Sequence, residues 1–213
     1  MAIKKIVKIW EDGKISKSNI EFLKLKTKKV TFPLSPFINQ IIQDLIDTYE
    51  TIACAGIAAN QIGYEYQIFI GMKEIKTEEE AEEIEKKEAE LSSALGNPYA
   101  DNYEIYINPQ IDLTNNKSTK IDEEGCLSIP GLMVERKRFD EIKVRYYDAN
   151  GKRNKKRLSG FLSKLFQHEL DHLNGMLMID GQEKIENLYP LEASEEQAKL
   201  YGTLYSQYQK LIK

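Results

Sequence analysis

Two histidines occur in this 213-residue chain, and both fall in one short run, Gln167-His168-Glu169-Leu170-Asp171-His172. Residues four apart stand one above the other on an α-helix, so His168 and His172 project from one face and can hold a single divalent ion. Glu169, directly after the first histidine, can reach a water on that ion. A bound Lewis acid lowers the water's pKa to about 7, and the carboxylate then takes and returns the proton, worth roughly 10² to 10⁴ in rate. This is the logic of metal-assisted hydrolysis on a His-Glu-x-x-His helix. Three fixed positions also arise by chance in many sequences. Here the surrounding helix is strongly apolar, which puts the motif on an inward face and favours a metal site over coincidence.

A catalytic site of this type needs a third protein ligand and an open fourth position. Asp180, Glu183 and Glu186 lie downstream, without a diagnostic context. The stronger candidate is upstream, in Glu123 to Gly131 (EEGCLSIPG), where Cys126 follows a glycine and precedes a Ser-x-Pro turn. The bland alternative for Cys126 is an inert buried thiol. A thiolate with two imidazoles leaves a dipositive ion at net +1, a donor set suited to iron(II) as well as zinc. Such a site would be oxygen-sensitive through its thiolate.

The elements that must position these residues are readable from periodicity. Ser159 and Gly160 introduce a helix with apolar positions Phe161, Leu162, Leu165, Phe166 and Leu173, stopping near Asn174-Gly175. A second core-facing helix runs from Phe37 to Tyr49, with Ser35 as N-cap and Pro36 at its first position. Strands are expected at residues 1–10, at Tyr66 to Met72 and at Tyr103 to Ile111. Two more should be joined by a turn at Ala149-Asn150-Gly151, because Asn-Gly is a strong hairpin signal. Ala53 to Tyr64 is rich in small residues and punctuated by glycine, which reads as a close-packed loop or turn. Lys73 to Glu90 holds nine acidic and four basic residues, a solvated helix or charged insertion with no chemistry assigned. The chain ends on a capping box at Ser194 and an aromatic stripe, Tyr201, Leu204, Tyr205, Tyr208, Leu211 and Ile212, expected to pack on its own domain rather than on a second copy.

Composition excludes several classes. With 41% apolar and 30% charged residues, the chain should fold, and no apolar run approaches the roughly 20 residues a bilayer requires. The expectation is a cytoplasmic protein without a secretory signal. A net charge of −4 gives no basic footprint for nucleic acid. Two cysteines, Cys54 and Cys126, are too few to staple a secreted fold and read as reduced thiols. One domain spanning 1–213 is expected, with a charged insertion at about 73–102 and a C-terminal amphipathic helix at about 194–213.

Three segments in order, Gly56-Ile57-Ala58-Ala59-Asn60-Gln61, Glu124-Gly125-Cys126-Leu127-Ser128 and Gln167 to His172, together resemble the signature motifs of the peptide deformylase family. The resemblance runs from about Pro36 to about Asp180. It implies an α+β fold in which mixed or antiparallel sheets pack around a central metal-binding helix. It implies Cys126, His168 and His172 as metal ligands, Glu169 as acid/base, and Gln61 with the backbone N–H of Leu127 as oxyanion donors. Gly56, Ile57, Phe161 and Leu165 would contact the substrate, and a Glu124–Arg138 pair would hold the cysteine-bearing strand. The implied cofactor is one divalent ion, iron(II) in the cell, with zinc or nickel able to substitute. The implied partners are N-formylmethionyl peptides; ribosome contact stays open, and the chain would act as a monomer or weak dimer.

Departures from the family's pattern mark where substrate preference could shift. Cys54 stands at a usual glycine, Ile57 at a usual leucine, and Met133 where many members carry arginine, a place Arg136 need not fill. Lys164, one turn before His168, occupies a position usually aliphatic, and an unpaired ammonium in an apolar pocket would be costly. Asp122 is also unusually polar, so the two are expected to be neighbours, within about 6 Å. The leading expectation is removal of the N-formyl group from the N-terminal methionine of new polypeptides, releasing formate. The competing readings are a deformylase-like deacylase with shifted specificity, a His-Glu-x-x-His endopeptidase, and a non-catalytic metal-binding module.

Overall fold

The computed structural model describes residues 3–91, 96–112, 118–181, 188–190 and 194–212. In chain order the elements are β1 (Trp10–Glu11), β2 (Lys14–Ile15), α1 (Lys17–Leu23), α2 (Pro36–Tyr49), β3 (Gly56–Ala58), a 3₁₀ turn (Ala59–Ile62), β4 (Ile68–Met72), α3 (Glu78–Leu91) and β5 (Tyr103–Asp112). They continue with β6 (Thr119–Cys126), β7 (Ile129–Phe139), β8 (Glu141–Tyr147), β9 (Arg153–Ser159), α4 (Gly160–Leu173), β10 (Leu188–Pro190) and α5 (Glu195–Leu211). The strands form a β1-β2 hairpin, a three-stranded sheet ordered β10-β7-β6 and a five-stranded sheet ordered β3-β4-β5-β8-β9. Every ladder between named strands is antiparallel. The α+β architecture expected from the motifs is present, with antiparallel sheets and a C-terminal helix.

Strand periodicity explains how α4 comes to lie at the centre. Side chains alternate faces along a strand. On β4 and β5, Ile68, Ile70, Ile105 and Ile107 point into a core shared with Ile41, Leu45 and Tyr49 of α2. Phe69 and Tyr106 point the other way, onto Phe166 and Leu173 of α4. Both faces of β4 are covered, so its run is buried throughout. A third core joins β7 to α1 and α5 through Val134, Leu132, Leu23, Leu204, Tyr205 and Tyr208. The aromatic stripe of α5 thus packs on its own chain as expected, while Leu211 and Ile212 at its end remain exposed. Its N-terminus carries the expected capping box at Ser194 and Gln197.

Two expectations about local structure need correction. The strand expected over residues 1–10 is confined to Trp10–Glu11. The described part of the rest is an extended tie: Val7 N–H donates to the Gln61 carbonyl at 2.8 Å and Ile9 N–H to the Ser128 carbonyl at 2.9 Å. Each of those bonds goes to a different turn, so no ladder forms. Within the close-packed loop or turn expected at Ala53 to Tyr64, Ala59–Ile62 is indeed a turn, but Gly56–Ala58 is an edge strand on β4. Its small residues serve close approach to α4 rather than a turn: a Cβ built on Gly56 would lie 2.8 Å from Leu165 Cδ1 and 2.9 Å from Glu169 Oε1.

Candidate metal centre and its cleft

The site forms where three elements converge. α4 carries His168, Glu169 and His172; the end of β6 carries Cys126 and the turn after it Leu127; the 3₁₀ turn after β3 carries Gln61. Ligand atoms of Cys126, His168 and His172 all lie within 4.8 Å of one another, and Cys126 Sγ is 3.2 Å from His172 Nε2. Among the described residues, these three form the group able to hold an ion. Of the downstream alternatives, Asp180 is engaged with Lys24 at 2.7 Å and with Tyr208, and Glu183 and Glu186 lie outside the described residues.

Of the three candidate ligands, His168 and Cys126 each have a side-chain partner of the kind that orients metal ligands, whereas His172 Nδ1 is buried without a hydrogen-bond partner and His172 is held through its backbone. His168 Nδ1 is 3.0 Å from Glu124 Oε2, which leaves Nε2 for the ion. Glu124 is itself held by Arg138 through Nε at 2.6 Å and Nη2 at 2.9 Å, a bidentate fork. Arg138 Nη1 donates to Asp171 at 2.6 Å, so the same guanidinium ties β7 to β6 and to α4. Asn60 Nδ2 donates to the His172 carbonyl at 2.7 Å. Gln61 is oriented by chemistry: its Oε1 accepts from Ala58 N–H at 2.8 Å. Its Nε2 is therefore the group turned toward Cys126 Sγ at 3.5 Å and Ser128 Oγ at 3.3 Å. The Glu124–Arg138 pair was expected; the roles of Asp171, Asn60 and Ser128 were not, because none carries a local signal beyond its position.

Electrostatics prepares the donors. Burial works against the Cys126 thiolate, but the neighbouring imidazoles of His172 and His168 bring the thiol down to about 5. His168 is raised well above its ordinary value, since its bonds to Cys126 and Glu124 outweigh burial. Burial also opposes the Glu124 carboxylate, yet Arg138 and His168 hold it down to about 2. Burial pushes Glu169 up to about 7, against the pull of the two histidines. Glu169 Oε2 is a buried acceptor without a hydrogen-bond partner. A thiolate, two imidazoles and an adjacent carboxylate with a spare lone pair fit a divalent ion of borderline softness.

The centre opens into a cleft of about 710 Å³. Of the residues expected to contact substrate, Gly56, Phe161 and Leu165 line it, together with Gln61, Leu127 and Glu169. Ile57 does not: its side chain is fully buried in the α2 core, because alternation along β3 turns it from the cleft. Met133 lines the cleft, whereas Arg136 is spent on the Asp180 carbonyl at 2.7 Å. Cys54 also lines it, and burial followed by the Glu169 charge pushes its thiol far above the usual range, the state of an inert small filler. Lys164 and Asp122 are neighbours as expected, Nζ to Oδ2 at 2.8 Å. The cleft lies between β3, an edge of the five-stranded sheet, and β6, an edge of the three-stranded one.

Comparisons with known proteins bear on this site. The family model described as polypeptide deformylase matches residues 13–187. The peptide deformylase of Elusimicrobium minutum is 36% identical over 84% of this chain and 88% of its own length. Among solved structures, the peptide deformylase of Thermotoga maritima superposes with a TM-score of 0.60 at 28% identity, covering 84% of this chain and 97% of that one. The peptide deformylase of Ehrlichia chaffeensis shares the fold over 100% of both chains, with a TM-score of 0.63 at 21% identity.

Proposed function

We propose a residue-by-residue account of catalysis for this chain, which belongs to the polypeptide deformylase family and is a peptide deformylase, a metal-dependent hydrolase. The reaction is removal of the formyl group from the N-terminal methionine of new polypeptides, with formate as the other product. The observation that carries the reading is the convergence of Cys126, His168 and His172 on one point, with Glu169 beside them at the end of a cleft.

A divalent ion on Cys126, His168 and His172 would supply a Lewis acid that makes water nucleophilic near neutral pH. Glu169 takes the proton of the attacking water. Its elevated pKa suits a group that must first accept a proton and then release it to the departing amine nitrogen. The Gln61 amide, held nitrogen-inward by Ala58 N–H, and the backbone N–H of Leu127 face the oxygen on which negative charge grows. As the carbon–nitrogen bond breaks, the proton on Glu169 passes to the amine and formate leaves. The edges of β3 and β6 suit a peptide bound in extended form, where main-chain pairing tolerates many sequences.

Lys164 bears on the choice of substrate. Its ammonium is engaged by Asp122 and by the Glu123 carbonyl at 3.1 Å, so it presents no unpaired charge to the cleft. This favours a methionine side chain over the shifted-specificity reading. Iron(II) as the ion in the cell, a cytoplasmic place of action, a single domain and a monomer or weak dimer complete the reading. In keeping with it, no helix among the described residues is long and apolar enough to cross a membrane. Anaerobically purified protein with verified iron(II) should release formate from formyl-Met-Ala-Ser. Absence of turnover in that preparation, or cleavage of internal peptide bonds in a blocked peptide, would refute it.

A further inference from the structure

Lys164 lines two cavities at once. One is the 710 Å³ cleft; the other is a smaller cavity of about 150 Å³ lined also by Asp122, Lys120, Arg138 and Phe161. The Lys164 stem and the Phe161 ring border both, so these two side chains are the partition between them. The partition is pinned at its polar end. Lys164 Nζ bonds Asp122 Oδ2 at 2.8 Å and the Glu123 carbonyl at 3.1 Å, and it stands 5.2 Å from the centroid of the Phe161 ring. Only 17% of the Lys164 side chain is exposed. The stem is thus an apolar wall and the ammonium its fastening, the division of labour that long cationic side chains permit.

Position along α4 says what this wall meets. At 1.5 Å rise per residue, Lys164 sits about 6 Å along the axis from His168, with Phe161 about a turn beyond it. The nearer offset is about the reach of an unbranched side chain of about four heavy atoms whose formyl group is at the metal centre. We propose that the Asp122–Lys164 ion pair is a specificity-determining latch: it closes the far end of the pocket for the substrate's first side chain and so limits the length of side chain the enzyme accepts. The proposal rests on the deformylase reading and adds to it the determinant of chain length.

The test is a ladder of formyl-X-Ala-Ser peptides in which X carries a butyl, pentyl or hexyl side chain. It is read as the hexyl-to-butyl ratio of kcat/KM for wild type, Lys164→Ala, Lys164→Met and Asp122→Asn, each metal-verified. Burying one more methylene is worth about fourfold. Lys164→Ala, which opens the smaller cavity, is therefore expected to raise the ratio about fifteenfold, and the two unlatching variants about fourfold. Binding of the deformylated product peptides, measured by calorimetry, should show the same order of ratios even on an enzyme that turns nothing over. If Lys164→Met and Asp122→Asn both keep the wild-type ratio in both readouts, the pair is not the determinant and the proposal falls. Wild type that binds the ladder without deformylating any member would instead overturn the functional reading while leaving the latch to be judged on binding. Because Asp122→Asn changes neither volume nor backbone, failure of Lys164→Ala to fold would still leave the idea decidable.

Discussion

Replacing Gly56 by alanine is expected to slow the chemistry about tenfold without abolishing the fold. A Cβ at residue 56 would lie 2.9 Å from Glu169 Oε1 and 2.8 Å from Leu165 Cδ1, whereas ordinary contact begins near 3.4 Å. The carboxylate oxygen must therefore retreat by about half an ångström. Leu165 Cδ1 must give way as well, by about 0.6 Å to reach ordinary contact. Misplacement of a catalytic group by 1 Å can cost about a hundredfold, so half of that corresponds to about tenfold in kcat. The change should appear in kcat more than in KM, since Glu169 is the group proposed to handle a proton rather than to bind the peptide. Gly71→Ala is the matched control: residue 71 pairs with residue 56 across β3 and β4, is also a strand glycine, and has Leu165, Phe69 and Ala55 rather than Glu169 as its neighbours. The assay is steady-state formate release at equal metal occupancy, alongside thermal melting. If Gly56→Ala and Gly71→Ala share the wild-type kcat, the approach of β3 to Glu169 has no catalytic consequence and the argument from close packing is wrong.

Other outcomes follow from the same geometry. Glu169→Ala should retain its metal, by elemental analysis, and lose roughly 10² to 10⁴ in kcat; a smaller loss would mean that another group moves the proton. Arg138→Ala leaves Glu124 and Asp171 facing each other's surroundings without their cation, and Glu124 is 4% exposed. We expect about 3–5 kcal/mol of lost stability in urea unfolding, and a loss under about 1 kcal/mol would show the fork to be dispensable. Asp44, far from the metal centre, is buried on α2; burial raises its pKa, but bonds from Tyr64, Gln40 and Lys4 outweigh that and hold it below its ordinary value. A depressed folded-state pKa contributes stability that is fully present above the unfolded value near 3.9 and is lost as pH falls through the folded one. Asp44→Asn should therefore be less stable than wild type at pH 7, with the difference shrinking below about pH 4; a pH-independent difference would contradict the sign.

Much of the site was legible because helical spacing is a local property. His168, Glu169 and His172 needed only the four-residue repeat of an α-helix, and the helix boundaries at Ser159 and Asn174 followed from their own residue types. The capping box at Ser194 and the Asn150-Gly151 turn were local in the same way. Cys126 stood out by its own Gly-Cys and Ser-x-Pro context, but its place beside the histidines, and the part of Gln61, came from motif resemblance, since nothing local links Cys126 on β6 to His168, 42 positions away on α4. The sequence misled in two places, once through small residues and once through alternation. Gly56 to Ala58 look like a loop by composition, but they form a strand because β4 offers a partner and α4 leaves no room for larger side chains. Likewise, the alternating start of the chain satisfies its amides on two separate turns rather than on a strand.

The sequence by itself determined the helix that carries the two histidines, the core helix α2, the C-terminal helix and the chemical types of the candidate donors, because those depend on residue identity and short-range periodicity. Only the tertiary structure decided which residues serve them. The Arg138 fork joining Glu124 to Asp171, the amide of Gln61 turned nitrogen-inward by Ala58, and the burial of Ile57 away from the cleft all depend on contacts between segments remote in the chain. Lys164 shows the difference most directly. In sequence it is a charge placed where an apolar residue is expected, with Asp122 as its expected neighbour; the fold adds the Glu123 carbonyl as a second partner at 3.1 Å, and the two together offset its cost of burial.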